Sequence, residues 1–338
     1  MKEQRHYFFL SDYYNYGGCV TFTAHLLHLL RKKRVLLLTK KLEENTKGDF
    51  GYGIQYQNIS TKMFDAIENP FITDMYKKSQ LLQKLKRNDI TIVIHDPGEI
   101  SKQTEPCLKY WNIICIRKSF QEYLKNKYDV NPKFLHHPFY PYPTIQQRNA
   151  NNTDNDDDDM ITKIEAVSIS RVDYGKHIDI ITDANKLITS SKNDNNNKPI
   201  KIYGPFNPNY VHHRLGKESF KQYYYGTFEK SFAVVSKILS KAKFMVDLSV
   251  IRHDGGGTQY TFLEAIHNNT ALIMNRKWIE GVDPKYRDFK EGYNCYAVSN
   301  GQELAEIINN SNNIDTMKIV SNAKKLMDRH IKVDWSVV

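Results

Sequence analysis

Short apolar runs separated by stretches of helical period set the limits on how this chain can fold. Strand candidates are HYFFL (6–10), VLLLT (35–39), ITIVI (90–94), NIICI (112–116) and KFL (133–135). Between them lie CVTFTAHLLHLLRKK (19–33), with Phe22, Leu26, Leu29 and Leu30 on one face, and MYKKSQLLQKLKR (75–87). Strands that alternate with helices pair in parallel through crossover helices. The alternation stops at YPYPTIQQRNANNTDNDDDD (140–159), a proline-punctuated and then Asn/Asp-only tract with nothing apolar to bury. It resumes with strand EAVSIS (165–170), helix HIDIITDANKLI (177–188), strand IKIYG (200–204), helix SFAVVSKILSKA (231–242) and strand FMVDLS (244–249). A glycine loop and a helix to about His267 follow, then strand ALIMN (271–275) and terminal helices from about Gln302. The expected fold is α/β, with two Rossmann-like domains facing a central cleft. The expected boundaries are an N-terminal domain over 1–145, a linker over 146–163 and a C-terminal domain over 164–338.

A chain of 338 residues is long enough for each half to bury a core of its own. Its formal charge of +10 and pI near 9.1 point to an anionic partner: nucleic acid, nucleotide, acidic polymer or membrane surface. An AT-rich coding sequence would raise Lys, Asn and Tyr with no functional cause, and charge alone does not choose between these readings. Cys19, Cys107, Cys115 and Cys295 are scattered with no C-x-x-C pair, which argues against a disulfide framework and against a zinc ribbon, and fits a reducing cytoplasm. The apolar run near the N-terminus is too short for a signal h-region and no cleavage-like site follows it, so no signal sequence is expected, and no stretch approaches the roughly 18 apolar residues of a membrane span.

In open α/β sheets ligands bind beyond the carboxyl ends of the strands, so the loops there carry the chemistry. Gly17 and Gly18 open the first helix, where an anion can reach free amides and the positive end of the dipole. The pattern is not G-x-G-x-x-G, and the second strand ends in TKK rather than the acid that holds an NAD ribose, so a dinucleotide oxidoreductase is disfavoured. His95 and Asp96 end a very apolar strand and are candidates for acid, base or sugar-hydroxyl partner; alternatively Asp96 starts an Asp-Pro-Gly turn and His95 is a core histidine. Arg171 and Lys176, in SISRVDYGKHID, form the basic pair that a departing diphosphate requires, or are surface charges on a loop. The fourth loop, Gly256-Gly257-Thr258-Gln259-Tyr260, leads into a helix carrying Glu264. Thr261 to Glu264 also reads as a capping box, S/T-x-x-E.

Other signals are weaker. The D-x-D within DNDDDD sits in the low-complexity tract with no strand before it and reads as linker. His136-His137 and His212-His213 lack the spacing and neighbouring acid of a zinc site, so no metal is expected. The tyrosines at 223–225 read as packing.

Together these loops resemble the GT-B glycosyltransferases of the retaining, sugar-nucleotide-dependent, GT4-like kind. SISRVDYGKHID resembles that family's R-x-x-x-x-K stretch, KIYGP (with Gly204) its strand ending in glycine, and GGGTQYTFLEAIHNNTALI its glycine loop, acidic helix and following strand. The resemblance implies that Glu264 holds the nucleotide ribose, Arg171 and Lys176 the diphosphate, Gly18 the donor phosphates from the other domain, and His95 the donor sugar. The family usually carries an acid eight residues before the ribose ligand; here that position is Gly256, with Asp254 nearby but out of register. IHDPGE, YNYGGCVTF and QYTFLEAI are also similar to a narrower group, the phage DNA alpha-glucosyltransferases, in which the acid matching Asp96 lies near the reacting sugar. By resemblance, then, a hexose passes from a nucleoside diphosphate sugar, UDP-glucose first, to an acceptor hydroxyl with retention. Hydroxymethylated DNA is one acceptor so implied, and no other cofactor is needed. Alternatives are a polysaccharide or lipid glycosyltransferase and a non-catalytic nucleic-acid-binding protein of the same fold.

Overall fold

The computed structural model describes residues 5–12, 17–75, 85–145, 163, 165–190, 198–250 and 257–336. The predicted helix over 75–87, the tract over 146–159, Asp254 and Gly256 fall wholly or mostly outside them. The described chain divides into two compact units. The first comprises the residues up to Tyr140, together with Gly257 and the segment from Arg329; the second begins at Pro141 and ends at Asp328. The described residues from Arg329 to Ser336 thus group with the first unit, whereas the sequence places them in the C-terminal domain.

The first unit is built on an eight-stranded sheet. Its strands are β1 (Tyr7–Phe9), β2 (Arg34–Leu37), β3 (Lys47–Gly51), β4 (Ile54–Asn58), β5 (Phe71–Asp74), β6 (Thr91–Ile94), β7 (Asn112–Cys115) and β8 (Lys133–Phe134). The spatial order is β3-β4-β2-β1-β5-β6-β7-β8, parallel throughout except for the antiparallel β3–β4 pair at the edge. Strand β6 is buried along its whole length, as expected where both faces of a parallel sheet are covered. Helix α1 (Gly18–Leu29) packs on this sheet through Val20, Phe22, Leu26 and Leu27. Helix α2 (Lys118–Tyr128) anchors itself with Phe120 and Leu124. Strand order reverses direction between β1 and β5, the kind of switch point where α/β sheets open a crevice.

The second unit has five parallel strands in the order β10-β9-β11-β12-β13. They are β9 (Glu165–Ile169), β10 (Lys201–Tyr203), β11 (Ala242–Asp247), β12 (Ala271–Asn275) and β13 (Tyr296–Val298). Its numbered helices are α3 (Ile178–Ser190), α4 (Phe232–Ser240), α5 (Tyr260–His267) and α6 (Gly301–Asn309). The apolar face of α3, from Ile178 through Ile181 and Ala184 to Ile188, enters the core. Asn185 on the same face pairs both ways with the Ile200 backbone, at 2.7 and 2.9 Å, and so fixes the helix against the sheet. Gly301 allows α6 to approach, since a Cβ there would stand 2.9 Å from the Ala184 nitrogen. Here the switch point lies between β9 and β11. No described helix is long and apolar enough to cross a membrane.

Candidate active site

In the second unit the carboxyl ends of β9, β10 and β11 converge on a small set of side chains. Asp247 ends β11 and is 1% exposed. Its Oδ1 accepts hydrogen bonds from the Ser249 backbone nitrogen, at 2.9 Å, and from the Ser249 hydroxyl, while its Oδ2 accepts from the Thr261 hydroxyl at 2.5 Å. Lys176 Nζ lies 4.0 Å from the same Oδ2 and donates to Ser249 Oγ at 2.6 Å. Burial pushes the Asp247 carboxyl up, but Lys176 and the Ser249 and Thr261 hydrogen bonds outweigh it and hold the group below the usual carboxylate range. One buried carboxylate therefore ties the β9 loop lysine to the first turn of α5.

Arg171, half-exposed just beyond β9, has a loose partner in Asp173, 3.7 Å away, as the one ion pair of its guanidinium among the described residues. Asp173 closes the intervening turn by accepting from the Gly175 nitrogen at 3.1 Å. Gly204, immediately after β10, has φ +131, and a Cβ there would stand 2.0 Å from the Ser170 carbonyl oxygen. Only glycine fits where β9 and β10 run on together past their ends, with Val172 donating to Pro205 O at 2.9 Å.

Helix α5 begins at Tyr260, with Gln259 at its N-cap and no side chain capping it among the described residues. The capping-box reading fails: Thr261 lies inside the helix and spends its hydroxyl on Asp247, and Glu264 accepts a hydrogen bond from the Tyr142 hydroxyl. Asn268 donates to that hydroxyl at 3.0 Å, and Phe232 stacks on the Tyr142 ring at 4.5 Å. Thr258 and Tyr260 are buried, and the Gln259 side-chain nitrogen is enclosed with no hydrogen-bond partner among the described residues.

The first unit gathers a second cluster at its own strand ends. Gly17, with φ +115, is the N-cap of α1, and among the described residues no side chain caps the start of that helix. Asp96 is exposed and accepts from the Gly98 nitrogen at 2.7 Å, so it does open the Asp-Pro-Gly turn. His95 is only 9% exposed; its Nε2 bonds to Thr73 O at 2.8 Å, and its backbone nitrogen donates to Glu99 at 3.1 Å. Burial pushes the His95 imidazole down to about 4, which keeps it neutral. Cys19, Asp74 and Glu99 bring ligand-capable atoms within 4.8 Å of one another and of His95. Arg117, just after β7, is near enough for its charge to act on His95 and Glu99, and burial draws its guanidinium below the usual range. Gly257, at φ +79, lies where a Cβ would come within 3.3 Å of Arg117 Cγ.

Asp74, Glu99, Cys19 and Arg117 are absent from the residues singled out in the sequence. Arg117 directly follows the run NIICI and was findable by the strand-end rule. Asp74 was not, because FITD carries too little apolar sequence to stand out. Of the tyrosines at 223–225, Tyr223 is buried and Tyr224 bonds Gly204 O at 2.8 Å, whereas Tyr225 is 52% exposed.

No protein-family model and no curated protein sequence matches this chain. Solved structures do. Anabaena Alr3699/HepE, in complex with UDP and glucose, aligns over 97% of this chain and 96% of its own with a TM-score of 0.65 at 12% identity. An alpha-glucosyltransferase in complex with UDP and a 13-mer DNA containing a HMU base aligns over 97% and 95%, with a TM-score of 0.62 at 11% identity. A glycosyltransferase from Rickettsia africae aligns over 97% and 95%, with a TM-score of 0.60 at 10% identity. The fold is that of the GT-B glycosyltransferases, each unit being one Rossmann-like domain.

Proposed function

We propose that the chain is a glycosyltransferase that binds a nucleoside diphosphate sugar on its second unit and passes the hexose to an acceptor hydroxyl with retention. One observation carries the reading: a single buried carboxylate, Asp247, holds both Lys176 and the uncapped start of α5. A cation and the amides of a helix N-terminus fixed together at a strand switch point form a diphosphate-binding arrangement, since both are stabilised as the leaving group acquires charge. The half-exposed guanidinium of Arg171 supplies the second cation, so the departing diphosphate is neutralised by the protein's own groups. Glu264, on the same helix as those amides, is positioned by Tyr142 to accept from ribose hydroxyls. For His95 and Asp96 the proposed role is to orient the donor sugar or to stabilise positive charge at its reacting carbon. The UDP and UDP-glucose complexes of the structural neighbours support UDP-glucose as donor.

For the acceptor we propose hydroxymethylated duplex DNA. On the first unit, Lys127 lies over the rings of Tyr123 and Tyr128, Lys109 over Tyr110 and Lys118 over Phe134, a surface of cations and aromatic faces suited to a polyanion. One structural neighbour is in complex with a 13-mer DNA containing a HMU base.

Calorimetric titration with UDP-glucose tests the donor. Arg171→Ala and Glu264→Ala each remove a charge-assisted contact worth about 1.5–3 kcal/mol, a loss of roughly 10- to 150-fold in affinity. Wild-type affinity in both variants would overturn the site, and absence of binding to any nucleoside diphosphate sugar would overturn the class. Transfer of labelled glucose to hydroxymethylated duplex, against plain duplex and against polysaccharide, tests the acceptor.

A further inference from the structure

Four side chains from three separate segments of the first unit bring their donor atoms together at one spot. Cys19 stands in the first turn of α1, Asp74 ends β5, His95 follows β6, and Glu99 closes the turn after it. The thiol sulfur, one oxygen of each carboxyl and one imidazole nitrogen all lie within 4.8 Å of one another. Asp74, His95 and Glu99 are 3%, 9% and 5% exposed, so water does little to solvate charge there.

We infer that Cys19, Asp74, His95 and Glu99 form a binding site for one divalent transition-metal ion, with Zn²⁺ the best match to the donor set. Sulfur and imidazole nitrogen beside two carboxylates are borderline-soft donors that exclude Mg²⁺ and Ca²⁺ as preferred occupants. The His95 side chain is already oriented in the way metal-bound histidines are. Thr73 O can only accept, so the proton sits on Nε2 and the ring's lone pair is on Nδ1. Charge also balances. A thiolate and two carboxylates supply three negative charges, the ion supplies two positive ones, and Arg117, whose charge acts on Cys19 and Glu99, supplies the third. In the absence of an ion, burial raises all three acids, Asp74 to about 6 and Glu99 and Cys19 well above their usual ranges, so a bound ion would displace protons. Tetrahedral bonds of about 2.0–2.3 Å put donors roughly 3.3–3.8 Å apart, so binding needs any pair of donors to close by at most about 1.5 Å. The ion would clamp the start of α1 to the ends of β5 and β6, and through the His95–Glu99 turn would set the position of Asp96.

The inference stands apart from glycosyl transfer, and its test does not use activity. Full-length protein is stripped with chelator, dialysed against Zn²⁺ or Co²⁺ alone, and assayed for bound metal by mass spectrometry. About one equivalent per chain is expected, and the Co²⁺ form should show thiolate-to-metal charge-transfer absorption. Cys19→Ser, nearly isosteric, should abolish that absorption, whereas Cys107→Ser should leave it intact. Asp74→Asn should weaken Zn²⁺ binding by more than the roughly 10- to 100-fold lost when a residue behind a ligand is removed. If Asp74→Asn fails to fold, Glu99→Gln gives the same reading. Wild-type protein that retains no metal, or a Cys19→Ser variant with unchanged absorption, overturns the site.

Discussion

Lys176 and Asp247 meet at 4.0 Å, the lysine half-buried in the loop after β9 and the aspartate almost wholly enclosed at the end of β11. Seventy-one positions separate them in the chain, yet the pair joins the two strands that flank the switch point of the second sheet.

Removing one partner of such a pair leaves the other charge poorly compensated. Asp247→Asn should cost about 3 kcal/mol, the low end for a broken buried ion pair because Lys176 keeps some solvent contact. It should weaken UDP-glucose binding as well, since Lys176 and Thr261 lose their common anchor. Urea unfolding and calorimetry measure both, and an unchanged midpoint would refute the anchoring role.

Gly204→Ala sets a new Cβ against the Ser170 carbonyl at 2.0 Å and holds a non-glycine residue at φ +131. Backbone strain and overpacking each cost about 1–3 kcal/mol, so a loss of at least about 2 kcal/mol is expected. A thermal melt within a degree of wild type would show that the two strand ends separate more easily than their packing implies.

Tyr142→Phe keeps the ring stacked on Phe232 while removing the hydroxyl shared by Glu264 and Asn268. Leaving those buried groups short of a partner should cost about 1–3 kcal/mol. If Glu264 grips the ribose, donor affinity falls in this variant too, through a Glu264 carboxylate that is no longer held. A donor affinity equal to wild type would separate Tyr142 from that function.

His330 is 1% exposed, with Nδ1 bonded to His137 O at 3.0 Å, and burial and the neighbouring His136 and Arg329 push its imidazole down to about 3. A folded-state value below the unfolded value near 6.5 means that the unfolded chain takes up the proton first. Stability from this group is complete above pH 6.5 and is lost as pH falls from there toward 3, by about 1.4 kcal/mol per pH unit. His330→Gln should flatten the acid limb of a stability–pH curve by close to one proton. An unaltered slope would place the titrating histidine elsewhere.

Most elements were legible because their sequences are apolar enough to be buried on both sides. ITIVI and ALIMN became central strands, and CVTFTAHLLHL became the helix that packs on the first sheet. Strands β3, β4, β5 and β13 were not legible. The first two form a hairpin at the sheet edge with polar, half-exposed residues, and in β5 and β13 the apolar run is cut short by polar neighbours, Thr73-Asp74 after one and Ser299-Asn300 after the other. Arg171, Lys176, His95 and Asp96 were named because each follows a readable strand; Asp74 ends a strand that was not read, Asp247 was read as part of the strand FMVDLS and not as its functional end, and Arg117 was passed over although it follows NIICI.

The alternation of strand and helix and the glycines at helix starts are local properties, and periodicity and backbone freedom settle them without knowledge of distant residues. Which side chains meet is not local. Thr261 and Glu264 satisfy a helix-cap pattern in sequence, but Asp247 and Tyr142, brought in by sheet order, offer stronger partners, and the cap is not made. The same holds for Arg252 to Asn269: the sequence determined a glycine loop leading into a helix, and the tertiary fold decided that the helix start is held by a carboxylate from β11. A buried charge must find its compensation in three dimensions, and only the folded chain says where that is.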